Sequence, residues 1–242
     1  MKSRVVTAEV LDGLAPDNID AMRSRRDLQR VHRAMGTRLI VANALRNISA
    51  LDSQAPPLRV LELGAGDGTL MLGVARSLAS AWPRVELTLL DRQALIPVAA
   101  KEHYAQLGWT IVERIQDVLD WAVEPIPSAP AQARWDLIIA NLFLHHFDDR
   151  PLATLLVAIA ARTQRFFACE PRRAWLPLVG SHLVGAIGAN AVTRGDAVLS
   201  VHAGFRGNEL SSFWPPGDTW LLREYSAGLF SHCFIAERRA TV

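Results

Sequence analysis

The run Val60-Leu61-Glu62-Leu63-Gly64-Ala65-Gly66-Asp67-Gly68-Thr69-Leu70 sets glycines at every second position, with an acid two residues before the first. Glycine permits the backbone angles of a tight turn and lets a ligand come close to the main chain. A helix opening behind such a turn offers N–H groups and positive partial charge, which suit a carboxylate as well as a phosphate. About 20 residues further on, where an acid can accept from both hydroxyls of a ribose, Asp91 closes a second apolar run, with Arg92 beside it. The alternative for Asp91 is a cap on the following helix. Gln116-Asp117-Val118 ends a third run, and Asn141-Leu142 a fourth. His145 and His146 come directly after. Histidine titrates near neutral pH, and a well-placed general base is typically worth ~10²–10⁴-fold in rate. The two histidines are therefore candidate catalytic bases; the alternative is that they stabilise a loop and cap the next helix.

These residues need elements to hold them. Residues 58–63, 85–90, 109–115, 135–140 and 165–170 are short and mostly apolar, as buried parallel strands are. Between them, residues 69–82, 94–107 and 149–162 carry helical patterns. Such alternation predicts a parallel sheet with helices on both faces. Candidate ligands then gather at the carboxyl edge of the strands. Residues 1–52 read as a helical arm, ended by a turn cluster over 52–57, and residues 53–242 as the main domain. A proline-rich loop is expected over 125–134. Residues 171–207 show no clean period and read as an insertion covering the substrate. A short helix is expected over 209–214. Two strands over 219–226 and 229–238, turning at Ala227-Gly228, predict a hairpin.

The glycine spacing is G-x-G-x-G. A dinucleotide fingerprint requires G-x-G-x-x-G, and its third position here is Thr69, which opposes a nicotinamide oxidoreductase. With Asp91, the Gln116-Asp117-Val118 segment and Trp135-Asp136-Leu137-Ile138-Ile139-Ala140-Asn141-Leu142-Phe143-Leu144-His145-His146-Phe147, the turn resembles the ordered motifs of class I S-adenosylmethionine-dependent methyltransferases. The resemblance implies a Rossmann-like α/β three-layer sandwich with a mostly parallel seven-stranded sheet, its last strand antiparallel between strands five and six. It implies S-adenosylmethionine as cofactor. Glu62, Gly64, Ala65, Gly66 and Gly68 would cradle its amino-acid tail, and Asp91 and Arg92 would meet the ribose. Asp117 and Val118 would contact adenine, with capping the alternative for Asp117, while Asn141 and Leu142 would underlie the methionine part. The Asn/Asp-Pro-Pro-Tyr/Phe signature of amino-group methylation is replaced by Asn141-Leu142-Phe143-Leu144. Small-molecule O- or C-methylation is expected instead. More narrowly, Arg26-Asp27-Leu28-Gln29-Arg30-Val31, Leu144-His145-His146 and Asn190-Ala191-Val192-Thr193-Arg194 look like methyltransferases of polyketide or quinone pathways. Such an enzyme takes an aromatic or apolar acceptor, for which residues 175–187, Phe205, Phe213 and Trp214 would suit a pocket. A non-catalytic scaffold that keeps the cofactor site is the competing reading.

Composition narrows the partners. A net charge of +2 with interspersed signs gives no footprint for nucleic acid. The arginines at 23, 25, 26, 30 and 33 read as a solvated helix face. No apolar run reaches the ~20 residues of a membrane span, and the amino terminus lacks a signal-peptide core, so a cytoplasmic protein is expected, with a homodimer possible. The two cysteines, Cys169 and Cys233, fall on neighbouring strands in the implied order and read as buried thiols without a bridge. Glu170 is expected to meet a substrate hydroxyl or pair with an arginine. His145-His146 raises a metal, but an acid-rich ligand pattern is not evident in the sequence, and none is expected.

Overall fold

A computed structural model describes residues 3–46, 56–82, 84–126 and 134–239. The turn expected at 52–57 and the loop at 125–134 fall for the most part outside the described residues, and Pro83 wholly so. The strands are β1 (Leu58–Leu63), β2 (Val85–Asp91), β3 (Trp109–Ile115), β4 (Leu137–Asn141), β5 (Arg165–Pro171), β6 (Trp220–Ala227) and β7 (Ser231–Arg238). They form one seven-stranded sheet in the order β3-β2-β1-β4-β5-β7-β6. The first five are parallel, and β7 runs antiparallel to both β5 and β6. This is the implied topology, with β7 entering between β5 and β6.

The parallel strands are apolar on both faces because helices cover both. One core cluster packs Leu45, Met71, Leu78, Trp82, Trp109 and neighbours on one side. The other packs Leu61, Ile138, Leu155, Phe166, Phe234 and neighbours. The helix Asp149–Arg162 shows the cause locally. Leu152, Leu155, Leu156 and Ile159 recur at helical spacing and are fully buried. Each is worth ~1.5–3 kcal/mol of burial. Cys169 and Cys233 face each other across β5 and β7, both buried and free.

The helices preceding β1 are α1 (Val10–Gly13), α2 (Ile19–Met35) and α3 (Thr37–Arg46). Asn18 caps α2 by accepting from the Asp20 and Ala21 amides, and Gly36 ends it in the left-handed region. The span 171–207 is more ordered than its sequence suggests. It holds the helices Trp175–Leu183 and Ala191–Ala203, joined by a 3₁₀ turn at Val184–Ile187. Its period is obscured because these helices bury one side and line a cavity with another. Expected bounds also tighten. The helix read over 94–107 begins at Val98, and β4 ends at Asn141 rather than Ala140.

The arm is fastened to this insertion. The buried Asp27 carboxylate accepts from the Asn190 amide at 2.8 Å and from Arg30 at 2.7 Å. Ser24 donates to Asn190 Oδ1, which also caps the helix Ala191–Ala203. Asp196 accepts from the Val10 and Leu11 amides, and Arg4 donates to the Phe147 and Ala203 carbonyls. Asp27→Ala leaves a buried amide without an acceptor. It should cost about 1–3 kcal/mol and speed proteolytic cleavage within residues 3–46. A thermal melt and a limited digest check both; an unchanged digest would mean that the arm is held elsewhere.

Candidate active site

The carboxyl ends of β1, β2 and β4 open into a cavity of about 700 Å³ roofed by α2 and the insertion helices. Its lining includes Glu62, Gly64, Ala65, Gly66, Asp91, Arg92, Asp117, Val118, Asn141, Leu142, His145 and His146, so spacing brought together all but one of the expected site residues. Gly68 does not line it; its carbonyl takes the Tyr104 hydroxyl at 2.8 Å and it precedes the helix Thr69–Leu78.

All three turn glycines have positive φ. At Gly64 the absence of a side chain is also a matter of space, since a Cβ there would lie 2.2 Å from the Phe143 ring. That ring is directed by Leu142, the one described non-glycine residue with positive φ, at 49°. Asp91 holds the turn from the next strand: its carboxylate accepts from the Gly66 amide at 2.9 Å and the Gln93 amide at 3.0 Å. It does not cap a helix, because the next one starts at Val98 behind Pro97. Asp117 does cap one, accepting from the Leu119 amide at 2.7 Å, while still facing the cavity.

Beneath the turn lies an incomplete polar pair. Asn141 donates to Glu62 Oε1 at 3.2 Å. The other carboxylate oxygen of Glu62 and the amide oxygen of Asn141 are buried with no partner in the protein. Burial, with Asp67 and Asp91 nearby, pushes the Glu62 carboxyl up to about 8. Two orphaned acceptors at a cavity wall call for a donor, best a cation.

The other end of the cavity is built around β5. Glu170 is fully buried and accepts from the Phe143, Leu144 and His145 amides. Its second oxygen lies 2.8 Å from His145 Nδ1. It pairs with a histidine and a loop, not with the arginine or substrate hydroxyl expected; Arg173 turns instead to Glu209. His145 Nε2 lies 3.4 Å from Glu9, and His146 Nδ1 lies 3.0 Å from Asp12. Burial alone would lower the His145 pKa, but its hydrogen bonds to Glu170 and Glu9 outweigh this and push it up to about 9.

Glu9, Asp12, Thr193 and Asp196 line the cavity unanticipated. They lie far along the chain from the strand motifs, and no spacing links them. Only the helical period of Thr193, Asp196, Ala197 and Ser200 carries a trace of a shared face. Arg92 lines the mouth, and its guanidinium bonds the Asp12 carbonyl. Of the expected apolar pocket, Pro177, Leu183, Val184 and Ile187 do line the cavity. Trp175 is 70% exposed, whereas Phe205 and Trp214 belong to the core beneath the sheet and Phe213 packs against it. His182 is exposed, and His232 pairs with Glu224 across the hairpin at 2.7 Å.

Gly64→Ala adds both a strained φ and a collision with Phe143. It should abolish ligand binding at the turn and lower the melting temperature, whereas Gly195→Ala, where nothing lies within 4 Å of the added carbon, should do neither. Calorimetry and melts on the two variants check the contrast.

With the geometry described, similarity to known proteins takes on meaning. Residues 61–163 match the family model for a methyltransferase domain. No curated protein matches the chain by sequence. Among solved structures, the plantazolicin methyltransferase BpumL in complex with SAH has a TM-score of 0.61 at 13% identity, covering 89% of this chain and 90% of that one. The same enzyme with a pentazolic desmethylPZN analog and SAH scores 0.60 at 13% identity, covering 89% and 91%. The citrinin polyketide synthase CMeT domain scores 0.50 at 15% identity, covering 78% of this chain and 48% of that one. Likeness at such identities speaks for the fold alone. Residues 61–163 are thus similar to a methyltransferase domain, and the sheet order, with β7 between β5 and β6, is the fold that the class I resemblance implied.

Proposed function

We propose that the chain is an enzyme that methylates a small, apolar or aromatic acceptor on oxygen or carbon. The observation that carries the reading is the pair of unpartnered buried oxygens, Glu62 Oε2 and Asn141 Oδ1, on two residues that line the cavity beside the glycine turn. They fit the ammonium of an amino-acid tail, whose carboxylate lies against the turn. Asp91, held at the edge of β2, is positioned for a ribose, and Asp117 and Val118 for a base beyond it. When bound, the cofactor supplies an activated methyl group on a sulfonium sulfur. The chain's own residues then have three tasks: to grip that donor, to align the acceptor and to exclude water.

Alignment falls to the rest of the cavity. Phe147, Pro177, Leu183, Val184, Ile187 and Phe230 form an apolar wall suited to a flat or alkylated body. Thr193 Oγ1 is buried without a partner and offers one hydrogen bond to a substituent. His145 and His146 are the polar groups that meet the acceptor's reacting atom. Positioning of this kind can supply up to ~7–11 kcal/mol of the barrier. A neighbour of the same fold, BpumL, has been solved with a pentazolic desmethylPZN analog. A ring-rich acceptor is in keeping with the wall described here. The arm and insertion serve as the lid over this chamber, and no described helix is long and apolar enough to cross a membrane.

The socket makes a proton-linked prediction. Free Glu62, at about 8, is mostly protonated at pH 7. An ammonium beside it favours the carboxylate and lowers its pKa, so binding must release a proton. S-adenosylhomocysteine, which carries the same tail, should show buffer-dependent heats at pH 7 that fade above pH 9. Glu62→Gln should bind more weakly and release none. Identical heats in buffers of different ionisation enthalpy would sink the socket.

The acceptor end makes a kinetic one. Isotope-labelled methyl transfer into a metabolite extract supplies an acceptor. His146→Ala should then lower kcat by roughly 10²-fold or more with cofactor affinity nearly unchanged. Full turnover in both His145→Ala and His146→Ala would remove the histidines from the chemistry. No transfer by the intact chain, with tight cofactor binding, would favour a scaffold role.

A further inference from the structure

We propose that Glu9, His145 and His146 form a binding site for one divalent first-row transition-metal ion, placed to hold an oxygen of the acceptor. The inference rests on the reading of the histidine end of the cavity as the acceptor site. One ligand atom from each of the three residues lies within 4.8 Å of the others. The contact from Glu9 to His145 Nε2 is 3.4 Å, long for a charge-assisted hydrogen bond, which runs at about 2.7–2.9 Å. It suits two ligands of one ion. With metal bonds of about 2.0–2.2 Å, a tetrahedral edge is about 3.3–3.6 Å. The other two sides are at most 4.8 Å and would shorten as all three atoms close on one ion.

The surroundings are those of a metal centre. Each imidazole has its Nδ1 against a carboxylate, Glu170 at 2.8 Å and Asp12 at 3.0 Å. That contact fixes the tautomer that leaves Nε2 free to ligate, and it raises the ring's basicity toward a metal. The two rings lie side by side, with centroids 4.3 Å apart and planes at 34°. Glu170 is itself locked by three backbone amides, so the His145 ring has little freedom. Glu9 is steadied by the Ser200 hydroxyl. All three ligand residues line the cavity, so the ion's remaining positions open toward the acceptor. Two nitrogens and one carboxylate favour Zn²⁺, Co²⁺ or Mn²⁺ over the all-oxygen shell that Mg²⁺ prefers. The adjacent histidines raised a metal in the sequence, but the acid that completes the set was hidden, because it comes from the strap before α1, remote in the chain from them.

The test uses the full, untagged chain after chelator treatment. Zn²⁺ alone, followed by calorimetry and thermal melting, should bind one per chain and raise the melting temperature, whereas Mg²⁺ should do neither. Co²⁺ should give visible absorption bands of nitrogen ligation. Glu9→Gln and His146→Ala should each weaken Zn²⁺ at least about tenfold and remove the Co²⁺ bands, and Asp12→Asn should weaken it less. These variants leave Glu170 and its loop intact, unlike His145→Ala, which endangers folding. The absence of one-to-one Zn²⁺ binding by the wild type, or binding that both Glu9→Gln and His146→Ala retain in full, overturns the site. S-adenosylhomocysteine is titrated in parallel. If it binds while Zn²⁺ does not, only the metal site falls; if it fails to bind, the methyltransferase reading falls with it.

Discussion

A single buried carboxylate organises both ends of the cavity. Glu170, at the end of β5, accepts from three consecutive loop amides and from the His145 ring. A carboxyl group buried there is tolerable because the bonds it accepts use its lone pairs. Through those bonds it sets where Phe143 lies, and Phe143 is the ring that fills the space beside Gly64. The same bonds set where His145 and His146 point. The glycine turn and the histidines are therefore registered to each other by one side chain. The left-handed Leu142 belongs to the same arrangement. Its unfavourable φ turns the chain sharply off β4, so that three successive amides converge on Glu170.

The cavity is polar at its two ends and apolar between. At one end Glu62 and Asn141 wait with unused acceptors; at the other the histidines are held by acids from the arm and from β5. Water in such a chamber would compete for every one of these groups. The arm answers that problem by lying across the opening, tied by Asp27 to Asn190, by Asp196 to α1 and by Arg4 to the loop at Phe147. Up to Met35 these ties are mainly hydrogen bonds, whereas α3 is anchored in the core by Val41, Ala42 and Leu45. α2 buries only Ala21, Ser24 and Asp27 fully.

How much of this could be read beforehand follows from which interactions are local. The G-x-G-x-G turn, Asp91 and the strand ends at Asn141 were legible because a parallel sheet delivers consecutive strand ends to one edge. Periodicity alone therefore predicts their meeting. The place of β7 followed from the family resemblance and from its hairpin with β6. The contents of the 171–207 span were not legible. Helices that bury one side and line a cavity with another lose the clean apolar stripe on which the period depends. Trp175 and Trp214 show the limit of composition. One is exposed and the other sits in the core, although both were expected at the pocket. Glu9 and Asp12 were invisible for a different reason. Their partners lie across the fold, and acids at the cap and within the single turn of α1 carry no periodic signature.

The acids that line the site also bear on its choice of ligand. The chain as a whole carries a net charge of +2, yet Glu9, Asp12, Glu62, Asp67, Asp91, Asp117 and Asp196 all face one cavity. Arg25 and Arg92 are the arginines of its described lining, each engaged, by Gln93 and by the arm, and His145, pushed up to about 9, adds a third cation that Glu170 and Glu9 already hold. A local excess of negative charge inside low-dielectric walls favours a cation far more than it would in water. S-adenosylmethionine brings two positive charges, on the ammonium and on the sulfonium; after transfer only the first remains. The same field that draws the donor in therefore holds the spent cofactor less firmly. On the proposed function, release is assisted by the charge lost in methyl transfer.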